Sequence, residues 1–395
     1  MQIGLRKSND KHAGLIYISP ASFPKVWSTG RELWLRPVGI APLKELSSIL
    51  AAEAFLPLAG GMYGFTHLDL VTGNAASGYQ AARVSLNESR RIAGGECEEQ
   101  LAVIAAPRPA FAGLPMDGVQ VMGIVNVTPD SFSDGGLYFN TEAAIAHGRA
   151  MAAAGASLLD VGGESTRPGA EPASAVDELA RITPVITALA AEGYLVSADT
   201  RHESVMGPAM AAGARIINDV SGFTEQGATD VMGRAYQDSS DLGFAIAMHM
   251  QGVPQMMQEK PEYGFAPLEV FEVLRGHIDR LLAAGVPKSH IAVDPGFGFG
   301  KTQIHNAQVV NWTSLFHGLG VPVLIGVSRK SSIPKLALLG GYRGDYGISS
   351  HNRLGGSLAL SLAATAQGAQ IIRTHDVAET VQAVAVQRGL GQQEK

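Results

Sequence analysis

Cysteine is almost missing from this chain of 395 residues: Cys97 stands alone. Neither an internal disulfide nor a thiolate metal cage can form, which excludes a disulfide-stapled secreted fold. A charge excess of one sign is missing as well, since 30 Lys+Arg against 36 Asp+Glu leave −6. No basic block exists that tracks a phosphate backbone, so nucleic acid is not an expected partner. Long apolar runs are absent too. Nowhere do about 18 apolar residues follow one another, so no membrane span is expected. Met1–Tyr17 carries Arg6, Lys7, Asp10, Lys11 and His12 and lacks the apolar stretch of a signal peptide, from which a cytoplasmic enzyme is expected. Familiar catalytic motifs fail in turn. In Gly296-Phe-Gly-Phe-Gly-Lys-Thr, Pro295 stands where a phosphate loop needs glycine, and Lys301 takes the last glycine slot of G-x-G-x-x-G. Gly326-Val-Ser-Arg-Lys lacks the second glycine of a nucleophile elbow. No H-E-x-x-H and no Cys/His cluster offers a zinc site.

What is present divides near Pro107–Gly118, where three prolines within Ala105–Met116 oppose a helix. Upstream, β-like runs at Gly14–Ser19, Leu33–Ile40, Tyr63–Val71 and Tyr79–Ser85 and a helical stretch at Leu43–Phe55 predict a small β-rich extension over residues 1–113. Downstream, residues 114–395 alternate strand-like and helix-like segments. The predicted strands are Val119–Val125, Leu158–Val161, Tyr194–Ala198, Arg215–Ile217, Gly243–Met248, Ile291–Val293, Val321–Gly326 and Gln370–Ile372. Predicted helices follow them, at Glu142–Ala154, Ala175–Glu192, His202–Ala211, Asp230–Ser239, Leu268–Ala284, Ile304–His317, within Ser332–Ala366, and at Val377–Arg388, with cap signals at Ser174/Asp177 and Asp376/Glu379. Eight such units between Val119 and Arg388 predict an α/β fold, a (β/α)₈ barrel, whose usual size is ~250 residues. A doubly wound open sheet is the rival arrangement.

In a barrel, chemistry gathers at the C-terminal strand ends. Those ends read Asn126, Asp160, Asp199, Asn218, His249, Asp294, Ser328 to Lys330, then Arg373 and His375. Any one of them is an ordinary helix cap or structural histidine by itself. A polar group on all eight is harder to explain by caps. Carboxylates aimed into a barrel mouth need donors, and a ligand rich in N–H groups supplies them. Two long Gly/Pro-rich loops, from Asn126 to Gly136 and from Gly162 to Pro172, read as substrate lids with Phe132 and Arg167 at their tips.

Met122-Gly-Ile-Val-Asn-Val-Thr-Pro-Asp-Ser-Phe-Ser-Asp-Gly-Gly resembles the opening signature of dihydropteroate synthases, and Asp160-Val-Gly-Gly-Glu-Ser-Thr-Arg-Pro-Gly-Ala resembles their second. The similarity runs on through Ala198-Asp-Thr, Ile217-Asn-Asp-Val-Ser-Gly, Met248-His-Met-Gln-Gly, Asp294-Pro-Gly-Phe-Gly-Phe-Gly-Lys, Ser328-Arg-Lys and Arg373-Thr-His-Asp-Val, over about residues 119–390. The resemblance implies a transferase of folate biosynthesis, joining (7,8-dihydropterin-6-yl)methyl diphosphate to 4-aminobenzoate with release of diphosphate. It implies a pterin site of Asp199, Asn218, Asp294, Phe299 and Lys330. One carboxylate at Asp294 suits the two parallel N–H donors of a pterin edge. It implies a 4-aminobenzoate site of Phe132, Thr166, Arg167, Pro168 and Ser328, which sulfonamides would share. For diphosphate it implies Asn126, Arg373 and His375, with Asn126 also a Mg²⁺ ligand. Lys330, Arg373 and His375 are the expected catalytic residues, and a homodimer the expected assembly. A pterin-dependent methyltransferase and a binding protein without catalysis on the same barrel are the competing functions. The extension carries no recognised motif, and a chain beginning near Leu114 is expected to keep its turnover.

Overall fold

A computed structural model of the chain describes residues 14–23, 32–127, 137–164, 173–252, 257, 260–344 and 350–391. The N-terminal unit comprises β1 (Leu15–Tyr17), β2 (Leu33–Pro42), α1 (Leu43–Ile49), β3 (Leu56–Pro57), β4 (Tyr63–Asn74), β5 (Gly78–Ser85) and α2 (Leu86–Ala105). Its sheet runs β1-β5-β4-β2, with β3 also paired to β4. Strand alternation gives that sheet two apolar faces. Leu33, Leu35, Leu68, Leu70, Ala82 and Val84 pack with Leu86, Cys97, Leu101 and Ile104 of α2. Trp34, Val71, Tyr79 and Ala81 point the other way and enter the core of the second unit. The sequence predicts four of these five strands but neither β3 nor α2, so the β-rich extension also carries a long helix. Gly94, at φ 56°, interrupts the helix, and the Gly94–Gly95 pair masks its periodicity.

The second unit has eight parallel strands: β6 (Gln120–Asn126), β7 (Leu158–Gly162), β8 (Val196–Asp199), β9 (Ile216–Asp219), β10 (Phe244–Met248), β11 (Ile291–Asp294), β12 (Leu324–Ile325) and β13 (Ile371–Thr374). They lie in the order β11-β10-β9-β8-β7-β6-β13-β12, and a parallel bridge between Val293 and Val323 joins β11 to β12. That bridge closes a barrel and excludes the open sheet. Around it lie α3 (Leu137–Ala153), α4 (Ala175–Ala191), α5 (Glu203–Ala211), α6 (Ala228–Asp238), α7 (Ala266–Ala283), α8 (Gln303–Asn311), α9 (Ser332–Leu339), α10 (Leu354–Thr365) and α11 (Val377–Leu390). The single long helix read within Ser332–Ala366 is two, α9 and α10. The stretch read as Ile304–His317 is α8 followed by a 3-10 turn, Thr313–Leu319.

Ser174 caps α4 as predicted, its Oγ accepting from the Asp177 N–H at 3.1 Å. Asp376 stands at the cap of α11 without a side-chain cap bond, because its carboxylate pairs with Arg329 instead. The linker does more than connect. Phe111, Ala112 and Met116 pack with Met122, Leu158, Ile216, Phe244, Ile246, Ala292, Leu324 and Ile371, one apolar residue from nearly every strand, and so seal the barrel floor. Phe111 meets Phe244 edge-on at 5.4 Å. A division at residue 113 therefore cuts through this plug. Just upstream, buried Arg108 donates to the carbonyls of Val103, Ala106 and His317, tying α2 to the 3-10 turn.

Candidate active site

Strand ends bring the predicted side chains to one mouth. Asp160 lies on β7, fully buried. Its Oδ2 accepts from Asn218 Nδ2 on β9 at 3.0 Å and from Arg373 Nε on β13 at 2.6 Å. Arg373 Nη2 donates to Asp199 Oδ2 on β8, also at 2.6 Å. One guanidinium thus holds two carboxylates from separate strands. Burial acts to lower the Arg373 pKa, but Asp160 and Asp199 overcome it and hold the group charged. Burial raises Asp199, and Arg373 pulls it back. Arg373, which the resemblance assigns to diphosphate, is bonded here to two carboxylates with which diphosphate must compete. Asp160, a strand-end candidate in the sequence to which the resemblance gives no role, is the hub.

Across the mouth, Asp294 ends β11, and its Oδ1 accepts the Gly296 N–H at 2.7 Å. Burial pushes the Asp294 pKa up, while nearby Lys330 counteracts. The loop that follows turns at Gly296 (φ 69°) and Gly298 (φ 86°). A Cβ at Gly296 would fall 1.9 Å from the His249 carbonyl oxygen, and one at Gly298 would press on Lys330 Cδ at 2.8 Å. Only glycine fits these positions. Lys330 Nζ donates to the Phe297 carbonyl and lies 4.1 Å from the centre of the Phe299 ring. Burial drives the Lys330 pKa down to about 7 despite Asp294 nearby.

Lys301, which imitates a phosphate-loop lysine in sequence, turns inward and is only 2% exposed. Its Nζ contacts the Gly296 and Phe299 carbonyls at 2.9 and 3.1 Å and His249 Nδ1 at 2.8 Å. Three polar partners surround this Nζ, and burial lowers its pKa well below the ordinary lysine value, so the side chain binds its own loop in place of a phosphate. Burial, and then Lys301, lower the His249 pKa well below its ordinary value, so the imidazole beside Lys301 is neutral. The sequence flags both residues but gives neither this task.

Lys330 is aimed by a strained turn. Arg329 adopts φ 56°, uncommon for a residue with a side chain. The turn is held from three sides: Ser357 Oγ accepts the Arg329 N–H at 2.9 Å, Arg353 Nη1 donates to the Arg329 carbonyl at 2.8 Å, and Asp376 pairs with its guanidinium. Ser328 Oγ meets His375 Nδ1 at 3.0 Å and accepts the His375 N–H at 3.1 Å. Helix α9 begins only at Ser332, with Ser331 as cap, so Ser328 lies before the helix and is held by His375. Asn126 ends β6 with its side chain partly exposed. Phe132, Thr166, Arg167 and Pro168 lie outside the described residues, as do most residues of the two expected lids.

At the root of the second lid, Glu178 of α4 is fully buried and accepts from Thr200 Oγ1 at 3.0 Å. Burial pushes its pKa up to about 8. Arg181 Nη1 donates to the Gly163 carbonyl at 2.9 Å, and Arg201 pairs with Glu164 through two bonds of 2.9 Å.

A family model described as "Pterin binding enzyme" matches residues 122–375. The dihydropteroate synthase of Escherichia coli K12 is 42% identical over 275 residues, 69% of this chain and 92% of that protein. A Xanthomonas albilineans dihydropteroate synthase solved with 4-aminobenzoic acid superposes with a TM-score of 0.64 at 42% identity, covering 72% of this chain and 97% of that one. Another structure from that organism, in complex with 7,8-dihydropteroate, gives a TM-score of 0.61 at 39% identity, covering 71% and 97%. Coverage, identity and the shared barrel agree: the chain belongs to the pterin-binding enzymes, in the dihydropteroate synthase family.

Proposed function

We propose that this barrel condenses (7,8-dihydropterin-6-yl)methyl diphosphate with 4-aminobenzoate to give 7,8-dihydropteroate and diphosphate. The observation that carries the reading is the convergence of Asp160, Asp199, Asn218, Asp294, Lys330 and Arg373 on one mouth, acids and bases interleaved. Asp294 and Asp199 accept the N–H groups of the pterin, Asn218 holds the remaining ring edge, Phe299 lines the ring face, and Lys330 meets its carbonyl side. Arg373, His375 and Asn126 take the diphosphate. Phe132, Thr166, Arg167 and Pro168, with Ser328 nearby, hold the aminobenzoate.

The chemistry follows from these charges. The methylene–oxygen bond breaks, its electron pair leaves on diphosphate, and the electron-rich dihydropterin carries the positive charge left on carbon. Arg373 and His375 face the charge that grows on the departing oxygens, which preorganised donors stabilise best in a site already built. The aminobenzoate nitrogen then forms the new carbon–nitrogen bond and gives up a proton. The reading includes Mg²⁺ as a companion of diphosphate, and the amide oxygen of Asn126, at the partly exposed end of β6, would hold it. When bound, the ion would neutralise charge on the leaving group. The reading includes a homodimer and a cytoplasmic location, as the resemblance implies; among the described residues no helix is long and apolar enough to cross a membrane.

Diphosphate release measured with each substrate alone and with both together is the test. Release that requires both, with a sulfonamide competing against aminobenzoate rather than pterin, is the expected result. No release from the folded protein with both substrates overturns the reading.

A further inference from the structure

The family match begins at Met122 and leaves the N-terminal unit without a task. We infer that this unit braces the loop after Asp294, and that Tyr79 is the positioning residue through which it acts on pterin binding. The inference rests on the reading of the mouth given above. Tyr79, on β5, is 4% exposed and lies between Trp34, at 5.9 Å between ring centres, and Phe265, at 6.4 Å. Phe265 meets Trp312 edge-on at 4.7 Å. Beside it, the tip of the β4–β5 hairpin approaches Gly264 so closely that a Cβ there would stand 3.3 Å from the Ala75 Cα. The N-terminal unit therefore fixes Gly264 and Phe265.

The residue before them reaches the site loop. The Tyr263 hydroxyl donates to the Gly300 carbonyl at 2.9 Å, and its ring stands 4.9 Å from His305. Gln251 secures the same segment, its side-chain amide bonding both the carbonyl and the N–H of Glu262 at 3.1 Å. Gln251 also abuts Gly300, where a Cβ would fall 2.4 Å from the Gln251 carbonyl oxygen. Gly300 leads directly into Lys301, which holds the loop carrying Phe299 and the Phe297 carbonyl against Lys330. Residues 260–265 thus form a strap, fastened to the N-terminal sheet at one end and to the pterin loop at the other.

Four full-length variants decide the matter by calorimetry with a diphosphate-free pterin and by steady-state kinetics. Tyr79→Leu removes the ring, Tyr79→Phe keeps it, Ala75→Asp places a charge at the exposed hairpin tip, and Leu70→Ala loosens the inner core of the unit away from the barrel. Tyr79→Leu and Ala75→Asp should weaken pterin binding about five- to tenfold, the size of coupling carried through packed side chains. Binding stoichiometry should stay near one, and KM for 4-aminobenzoate should move less than about twofold on the same scale. Tyr79→Phe should bind like the wild type, and Leu70→Ala should lower the melting temperature without changing pterin affinity. If Tyr79→Leu does not fold, Ala75→Asp decides. Unchanged pterin affinity in the folded variants overturns the brace while leaving the proposed function intact, and so does equal weakening by Leu70→Ala. A wild-type chain that binds no pterin overturns both.

Discussion

Arg373 is already bonded to two carboxylates, so diphosphate must compete for it. Asp160 is the stronger anchor, being fully buried and shared with Asn218. Asp160→Asn should therefore misplace two ligands at once. Breaking a buried pair costs about 3–5 kcal/mol of stability, and misplacement of about an ångström costs about 10²-fold in rate. Thermal unfolding and diphosphate release measure the two effects, and wild-type release by a folded Asp160→Asn protein would strike Asp160 from the site. Lys330 gives a second expectation. With its pKa pushed down to about 7 by burial, it is partly deprotonated just above neutrality. A bound anion favours the ammonium, so docking of pterin diphosphate should take up a fraction of a proton at pH 7–8 and none well below pH 6. Calorimetry in buffers of differing ionisation enthalpy reads this uptake, and Lys330→Met should abolish it. Strand-end positions made most of these residues legible in the sequence. The pairing of Arg373 with Asp160 was not, because it joins residues 213 positions apart.

Elements show the same division. The barrel strands were legible because each short apolar run ends in a polar residue and leads into an amphipathic segment. Helix α2 was hidden by Gly94 and Gly95, and Asp376, read as a cap, was drawn off by Arg329. Helix α4 carries a testable pH effect through Glu178, whose pKa burial raises to about 8 from an ordinary 4.5. A carboxyl raised by folding adds no penalty below the unfolded pKa. It then loses stability as pH climbs from about 4.5 to about 8, because the unfolded chain ionises first. Glu178→Gln keeps the shape without the charge, so its stability relative to wild type should rise across that window and level off above it. Unfolding midpoints from pH 4 to 9 would show this, and a constant difference would rule it out. The glycines of the β11 loop make a sharper case. Gly296→Ala would drive a methyl into the His249 carbonyl, so loss of pterin binding is expected even where the barrel still folds.

At the scale of the whole molecule, the linker belongs to the barrel it precedes. A chain starting at Pro107 keeps the Phe111 plug, whereas one starting at Leu114 leaves the floor open. Loss of a buried phenylalanine costs about 3–5 kcal/mol, so the longer barrel should melt several degrees above the shorter one in calorimetry. Equal melting would show that the floor does not need its plug. Both would expose the groups that Trp34 and Tyr79 cover, which no reading of motifs revealed because those residues belong to the sheet by pattern and to the barrel by contact. The floor also sets an order in time. Synthesis delivers the N-terminal unit first, with its inner core complete by Ile104. Yet the Trp34 indole waits for its acceptor Glu272, 238 residues further along, and Phe111 waits for Leu324 and Ile371. The face of Trp34 and Tyr79 is covered once residues 265–312 are made, but the floor stays open until β13 follows, so barrel closure and burial of the linker fall together at the end of folding.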